Sequence, residues 1–337
     1  LNVVLFIQIT LIRNNKKEIT MVNRSNKLIS RILPFLILPI LVFTSCKKKD
    51  PKIEERLNND APYYDKIPRV KIENYVNRLF IDIIGREPFD SEMKAETDNL
   101  IASNLAISTR EALILKLQTD QTYRAGDSSY AIAASNRIYD LMTTRLCEGF
   151  TTNDFMSEYG ISQFARLSDS LLGNWAGFYT HKANSEAILA AATAKWKWYH
   201  KQITIEDYCT ILINNSVTFE KTDSYMGNED NTIKYTFNDL LFRQYTVDEF
   251  NVSREMILMG KSGILFGKTG HSKGDYMYIL THSNEFYEGT VKWLYKTFLV
   301  RLPSTEELVP LMATLPVDKD IIKIQRNILK TDEYANF

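Results

Sequence analysis

The sequence predicts an all-α fold, in which three degenerate copies of a helical repeat pack with a helical middle segment into one domain. Three observations carry this. An apolar pattern at i, i+3, i+4, i+7, i+8 appears as Val76, Leu79, Phe80, Ile83 and Ile84, and recurs as Val291, Leu294, Tyr295, Phe298 and Leu299. Such spacing puts five side chains on one face of a helix. Each run is followed by the same break and restart, and between the runs few stretches alternate apolar with polar residues as strands do.

The front of the chain reads as an export signal. Met21 is the expected start, with residues 1–20 upstream of it. Arg24, Lys27 and Arg31 precede twelve residues from Ile32 to Phe43, apolar apart from Pro34 and Pro39, and then Thr44-Ser45-Cys46. Twelve residues rise only about 18 Å as a helix, against a hydrocarbon core of roughly 30 Å, so a cleaved signal over 21–45 is expected and not a permanent span. The chain holds 41 basic and 41 acidic residues, but most of the front's charges are basic, so the remainder is mildly acidic. That balance offers no electrostatic basis for a nucleic-acid partner. Residues 46–70, with Lys47-Lys48-Lys49, Pro51, Pro62 and Pro68, lack a helical period and read as a tether.

The helical domain is expected over 71–337, with repeats at about 74–124, 231–287 and 290–335. In the first copy the apolar helix ends at Arg86-Glu87-Pro88, with Glu92 following; in the third it ends at Arg301-Leu302-Pro303, with Glu307 following. A middle copy has Ile233, Phe237, Leu240, Leu241, Arg243 and Glu249, with Tyr245 at the proline position. Proline pushes its predecessor out of the α region, and Ser304-Thr305-Glu306-Glu307 and Thr246-Val247-Asp248-Glu249 are capping boxes that start a new helix. In the first copy Phe89 holds the cap position, so Asp90 is expected to cap instead. The recurring Arg and Glu suit a helix C-terminus and a following first turn, where each meets the favourable end of a dipole. The copies close on Leu117-Gln118-Thr119-Asp120 with Tyr123, on Ser283-Asn284-Glu285-Phe286, and on Thr331-Asp332-Glu333-Tyr334. Residues 125–230 read as further helices, for example Ile132 to Cys147 and Ser185 to Lys201. Leu171 to Tyr179 and Ile211 to Phe219 are apolar runs that periodicity does not assign.

Two resemblances follow from these residues. Ser45-Cys46 after the apolar run resembles a bacterial lipoprotein signal of the Bacteroidota type, which implies that Cys46 is acylated and becomes the first mature residue at the outer membrane, on either its periplasmic or its cell-surface side. Three acyl chains, at about 0.8 kcal/mol per buried methylene, would make that attachment effectively permanent. Ile84-Gly85-Arg86-Glu87-Pro88 and Asn284-Glu285-Phe286 resemble elements of uncharacterised all-helical domains in planctomycete and Bacteroidota surface proteins; similar repeats occur in phycobilisome-linker-like proteins. That resemblance implies an interaction domain more than an enzyme. Haem domains accompany some relatives, but there is no Cys-x-x-Cys-His here, so no haem is expected.

Candidate chemistry is sparse, and no cofactor is expected. Cys147 and Cys209 could be bridged in an oxidising envelope or serve as small core residues. His181, His200, His271 and His282 show no metal-ligand spacing. Gly260, Gly263, Gly267, Gly270 and Gly274 crowd one stretch, and Gly267-Lys268-Thr269 ends like a P-loop, but Ser262 stands where that motif needs glycine. The stretch reads as a flexible basic excursion in which Lys261, Lys268 and Lys273 are candidate contacts for an anionic partner. Trp196, Trp198, Tyr199 and His200 crowd the end of a helix. Residues 196 and 198 do not share a helical face, so one ring should leave the core and offer itself to a sugar or a partner. With no Gly-x-Ser-x-Gly or His-Glu-x-x-His present, the expectation is a non-enzymatic lipoprotein. It would be a structural or adaptor component of an outer-membrane complex or, alternatively, a ligand-capturing protein with glycan the leading ligand.

Overall fold

A computed structural model describes residues 67–337 apart from 125, 127, 148–150 and 215–228. The expected export signal, Cys46 and residues 46–66 of the expected tether lie outside the described residues, as does the apolar run beyond Asn214; the tether's last residues, Arg69 and Val70, are instead the first turn of a helix. The described residues belong to one compact unit, and the fold is all-α but for one small hairpin. Among the described residues no helix is long and apolar enough to cross a membrane.

Helix α1 (Arg69–Leu79) runs into a π-helical turn, Phe80–Ile84, and stops at Gly85 in the left-handed region. The short helices α2 (Asp90–Ala102) and α3 (Ile107–Thr119) lead to α4 (Tyr130–Leu146). The long α5 (Thr152–Leu172) and α6 (Trp175–Tyr199) follow, then α7 (Ile205–Asn214). Helix α8 (Glu229–Thr236) again enters a π-helical turn, Phe237–Leu241, before α9 (Val247–Met259). Strands β1 (Gly263–Leu265) and β2 (Lys268–Gly270) pair antiparallel, and α10 (Lys273–Thr281), α11 (Asn284–Leu299), α12 (Thr305–Asp318), α13 (Ile321–Leu329) and α14 (Asp332–Ala335) complete the chain.

The apolar positions read from the sequence are core. Val76, Leu79, Phe80, Ile83, Ile84, Ile233, Phe237, Leu240, Leu241, Val291, Leu294, Tyr295 and Phe298 are all buried, and Leu299 packs against the same cluster. Helix α11 is the hub, packed on the α8 π-turn, α10, α12, α13 and α14. Its approach to the π-turn runs through Gly289, where a methyl group would run into the Leu240 carbonyl oxygen. Beside this crossing the half-buried Arg145 donates from Nε to the Asp239 carbonyl and from Nη2 to that of Leu240, which satisfies carbonyls at the end of a helix. The two chain ends of the unit meet. Tyr75 Oη donates to the Leu329 carbonyl, and Arg78 donates to the carbonyls of Phe298 and Tyr334.

The break after each apolar helix has one geometry. A left-handed residue stands at Gly85, Phe242 and Val300. The next arginine then donates to the carbonyl of its own successor and, with both terminal nitrogens, to a glutamate six residues on: Arg86 to Glu92, Arg243 to Glu249 and Arg301 to Glu307. The capping boxes at Thr246 and Ser304 form as expected. Asp90 does not cap α2. Phe89 takes the N-cap position, Glu92 accepts from its backbone N–H, and the Phe89 ring lies 4.1 Å from the Arg86 guanidinium. A second carboxylate joins the later corners, Glu285 on Arg243 and Glu333 on Arg301. Phe286 and Tyr334 are buried, but Tyr123 is 80% exposed. The cap that matches Ser283 and Thr331 falls at Ser129, beyond residue 124, and the buried Tyr130 beside it donates to Glu92.

Candidate functional site

Helices α5 and α6 form an antiparallel arm, about 30 Å long, turned at Gly173 and Asn174. Gly173 is left-handed at φ 70°, and Asn174 caps α6 by accepting from Gly177 N. The α6 end of the arm is tied to the body through α4 and α7, whereas α5 packs substantially only on α6. The seam between the two helices uses Phe155, Tyr159, Ser162, Arg166 and Asp169, spaced i, i+4, i+7, i+11, i+14. It is largely polar. Ser162 Oγ donates to the His181 carbonyl, Asp169 meets His181 Nδ1 at 2.7 Å and Asn174 Nδ2 at 2.9 Å, and Arg166 lies over the Phe178 ring.

A second stripe on α5, Met156, Gly160, Phe164, Leu167 and Leu171, runs along one helical face and looks outward, its last four positions at the 4-3-4 spacing of a coiled-coil seam. Phe164 is 75% and Leu171 79% exposed, Leu167 58% and Met156 44%, with Ile161 and Leu172 beside them. Beyond the turn Trp175 and Tyr179 are exposed as well. The helix thus gives its polar seam to α6 and leaves its apolar stripe largely exposed. The sequence reading missed this face: Leu171 to Tyr179 stood as an unassigned run, while the 4-4-3-4 spacing from Met156 to Leu171 was the signal that marks it.

The residues singled out from the sequence fall in three other places. At the end of α6, Trp196 is 56% exposed and its ring lies 4.5 Å from that of His200; Tyr199 meets the edge of the same imidazole. Trp198 turns inward and stacks on Tyr208 at 5.2 Å. One of the two tryptophans leaves the core, as their spacing requires.

The glycine-rich stretch is not a flexible excursion but a hairpin. Phe266 and Gly267 both have positive φ, 50° and 74°, which is the backbone of a tight two-residue turn whose twist matches the flanking strands. Lys261 pairs with Glu255, and Lys268 donates to the His282 carbonyl; Lys273 opens α10 behind the Ser272 cap. Two of the three candidate lysines therefore already have partners within the chain.

Cys147 and Cys209 are buried thiols and not a disulfide. Burial pushes the Cys209 thiol up to about 12, so it is not a thiolate at neutral pH. Close by, the fully buried Glu206 receives the Tyr287 hydroxyl and the Lys319 ammonium, which ties α7 to α11 and the end of α12. The sequence pattern did not mark this contact, because its three partners are far apart in the chain. Among the described residues no group of three His, Cys, Asp or Glu is placed to hold a metal ion.

No protein-family model, curated protein or solved structure matches the chain.

Proposed function

We propose that this chain is an outer-membrane lipoprotein, anchored through acylated Cys46, that acts by binding as a structural or adaptor component of an envelope complex. The observation that carries the binding reading is the exposed apolar seam of α5. Monomeric soluble proteins rarely leave an apolar patch larger than a few hundred Å² uncovered, and a helix that turns coiled-coil spacing outward offers a ready seat for another helix. A compact body with a continuous core behind the arm suits that role, because a preformed surface costs little ordering of the chain on binding. The Bacteroidota-type signal and the repeat resemblance support the envelope setting.

The test is extraction of the full chain from native membranes in mild detergent, with Phe164→Glu and Leu167→Glu variants beside the wild type. The wild type keeps a protein partner, its own copies included, through purification and the variants lose it. Retention of every partner by both variants would remove the arm from the function.

Glycan capture is the second reading, supported by the half-exposed Trp196 ring beside His200. Aromatic faces of this kind stack on sugar rings. Trp196→Ala would then abolish glycan retention with folding intact, while arm substitutions would leave it unchanged.

A further inference from the structure

The exposed seam also indicates what covers it. We infer that the occupant is a second copy of this chain, so that two α5–α6 arms pair antiparallel about a two-fold axis into a four-helix bundle; this rests on the binding reading above and names its partner.

Size comes first. Met156, Ile161, Phe164, Leu167, Leu171 and Leu172 are between 44% and 79% exposed. The four on the outward stripe, Met156, Phe164, Leu167 and Leu171, expose on the order of 500 Å², and Ile161 and Leu172 at its edge bring the total to the scale of the roughly 800 Å² that a standard stable interface takes from each partner. An isologous pair uses this surface twice, once from each copy.

Charge is the second argument. On a helical projection the face from Asn153 through Met156, Ser157, Gly160, Gln163, Phe164, Leu167, Ser168 and Ser170 to Leu171 holds no ionisable side chain. Asp154, Glu158, Arg166 and Asp169, the charged residues of α5, lie off it. Ile161 and Leu172 border this face on the side of Asp154; across the face itself two α5 helices meet with no like charges opposed, which is the condition a self-pairing surface must satisfy. A bilayer surface is a poorer fit, because helices that lie on membranes carry a basic polar face, and the only cation of α5 is Arg166, set against the Phe178 ring.

Shape is the third. Gly160 stands in the middle of α5, where glycine costs about 1 kcal/mol relative to alanine, and nothing of this chain lies within 4 Å of where its Cβ would be. Its lack of a side chain therefore serves no packing within the chain. One turn further on, Phe164 projects from the same stripe. In an antiparallel pair the Phe164 of each copy can enter the hollow at Gly160 of the other, a knob and a hole on one self-complementary surface.

The experiment is density-matched sedimentation of the full chain in mild detergent, with micelles in large excess over chains. The wild type is expected to carry the mass of two chains, and Phe164→Glu and Leu167→Glu the mass of one, with unchanged helical circular dichroism because both side chains are exposed on the single chain. Gly160→Leu, which fills the hollow, should also give single chains. A wild type of one chain mass, or a two-chain mass that none of the substitutions reduces, overturns the inference. If the single chain instead retains a different protein that Phe164→Glu releases, self-pairing falls and the binding reading stands. If the substitutions alter no association at all, both fall. Flotation with phosphatidylcholine and phosphatidylglycerol vesicles in a Cys46→Ser background checks the remaining occupant: vesicle binding lost with Phe164→Glu overturns self-pairing in favour of the bilayer.

Discussion

Arg301 holds Glu307 with two nearly parallel hydrogen bonds, Nη1 to Oε2 at 2.8 Å and Nη2 to Oε1 at 2.7 Å. The other edge of the same guanidinium takes Glu333 at 2.6 Å. One planar cation therefore fixes the end of α11, the start of α12 and the start of α14, and Lys cannot replace its fork. Arg301→Lys is expected to lower stability by about 1–2 kcal/mol in chemical denaturation, and Arg301→Met by more, because it leaves two carboxylates facing each other. A loss below about 0.3 kcal/mol for both would show that the corner contributes little.

The corners also set a pH dependence. Hydrogen bonds from Arg301 hold Glu307 down to about 2; at Glu92 burial opposes ionisation, but bonds from Arg86, Tyr130 and the Phe89 N–H win and hold it to about 2. Glu249 is lowered by Arg243 in the same way. For groups whose folded value is depressed, the stabilisation is fully present above the unfolded value of about 4.3 and is lost as pH falls toward the folded one. Stability is thus expected to fall between about pH 4.5 and 2, with a smaller acid-dependent loss in Arg301→Met. Midpoints of urea unfolding at several pH values check this.

Val300 is a β-branched residue at φ 60° and 82% exposed, in the place that Gly85 fills in the first corner. Left-handed backbone costs such a residue roughly 1–2 kcal/mol, which glycine escapes while losing more chain entropy on folding. Val300→Gly should stabilise by about 0.5–1 kcal/mol. Gly289→Ala goes the other way. The methyl meets the Leu240 carbonyl, and α11 must move off the π-turn, at a cost above about 3 kcal/mol. Thermal melts of the two variants read both effects.

How much was legible in the sequence follows from the range of each interaction. The buried faces around Phe80, Phe237 and Tyr295 and the capping boxes at Thr246 and Ser304 are local patterns within one or two turns, and all are in place. The Asp90 cap was misread because the glutamate side of the box acts without a hydroxyl partner. The hairpin at Phe266-Gly267 was hidden because only one of its two positive-φ residues is glycine. Arg145 on the carbonyls of Asp239 and Leu240, and Glu206 with Lys319, are contacts between residues distant in the chain, which periodicity does not report. The α5 seam had the spacing of a buried face; its exposure depends on what α6 chose to cover.

Phe80 separates core from arm. It is fully buried and meets Tyr130 edge-on at 5.8 Å. Phe80→Ala should cost about 3–5 kcal/mol, whereas Phe164→Ala, on the open face of the arm, should change the stability of the isolated chain by no more than about 0.5 kcal/mol. Equal losses at the two positions would place the α5 stripe in a core.

The anchor has its own test, because Cys46 follows a short apolar run. Cys46→Ser should abolish incorporation of labelled fatty acid and release the protein from membranes. Equal labelling of variant and wild type would remove the lipoprotein reading.

The central claim, that this chain works by holding a protein on its arm, is tested most directly by a photoreactive residue at position 167 in the full chain, irradiated in intact native membranes. The account predicts a protein adduct from position 167, lost when Phe164→Glu is added, and none from position 94 on α2, which is also exposed. Irradiation that yields no protein adduct at 167, or the same adducts at both positions, would contradict it.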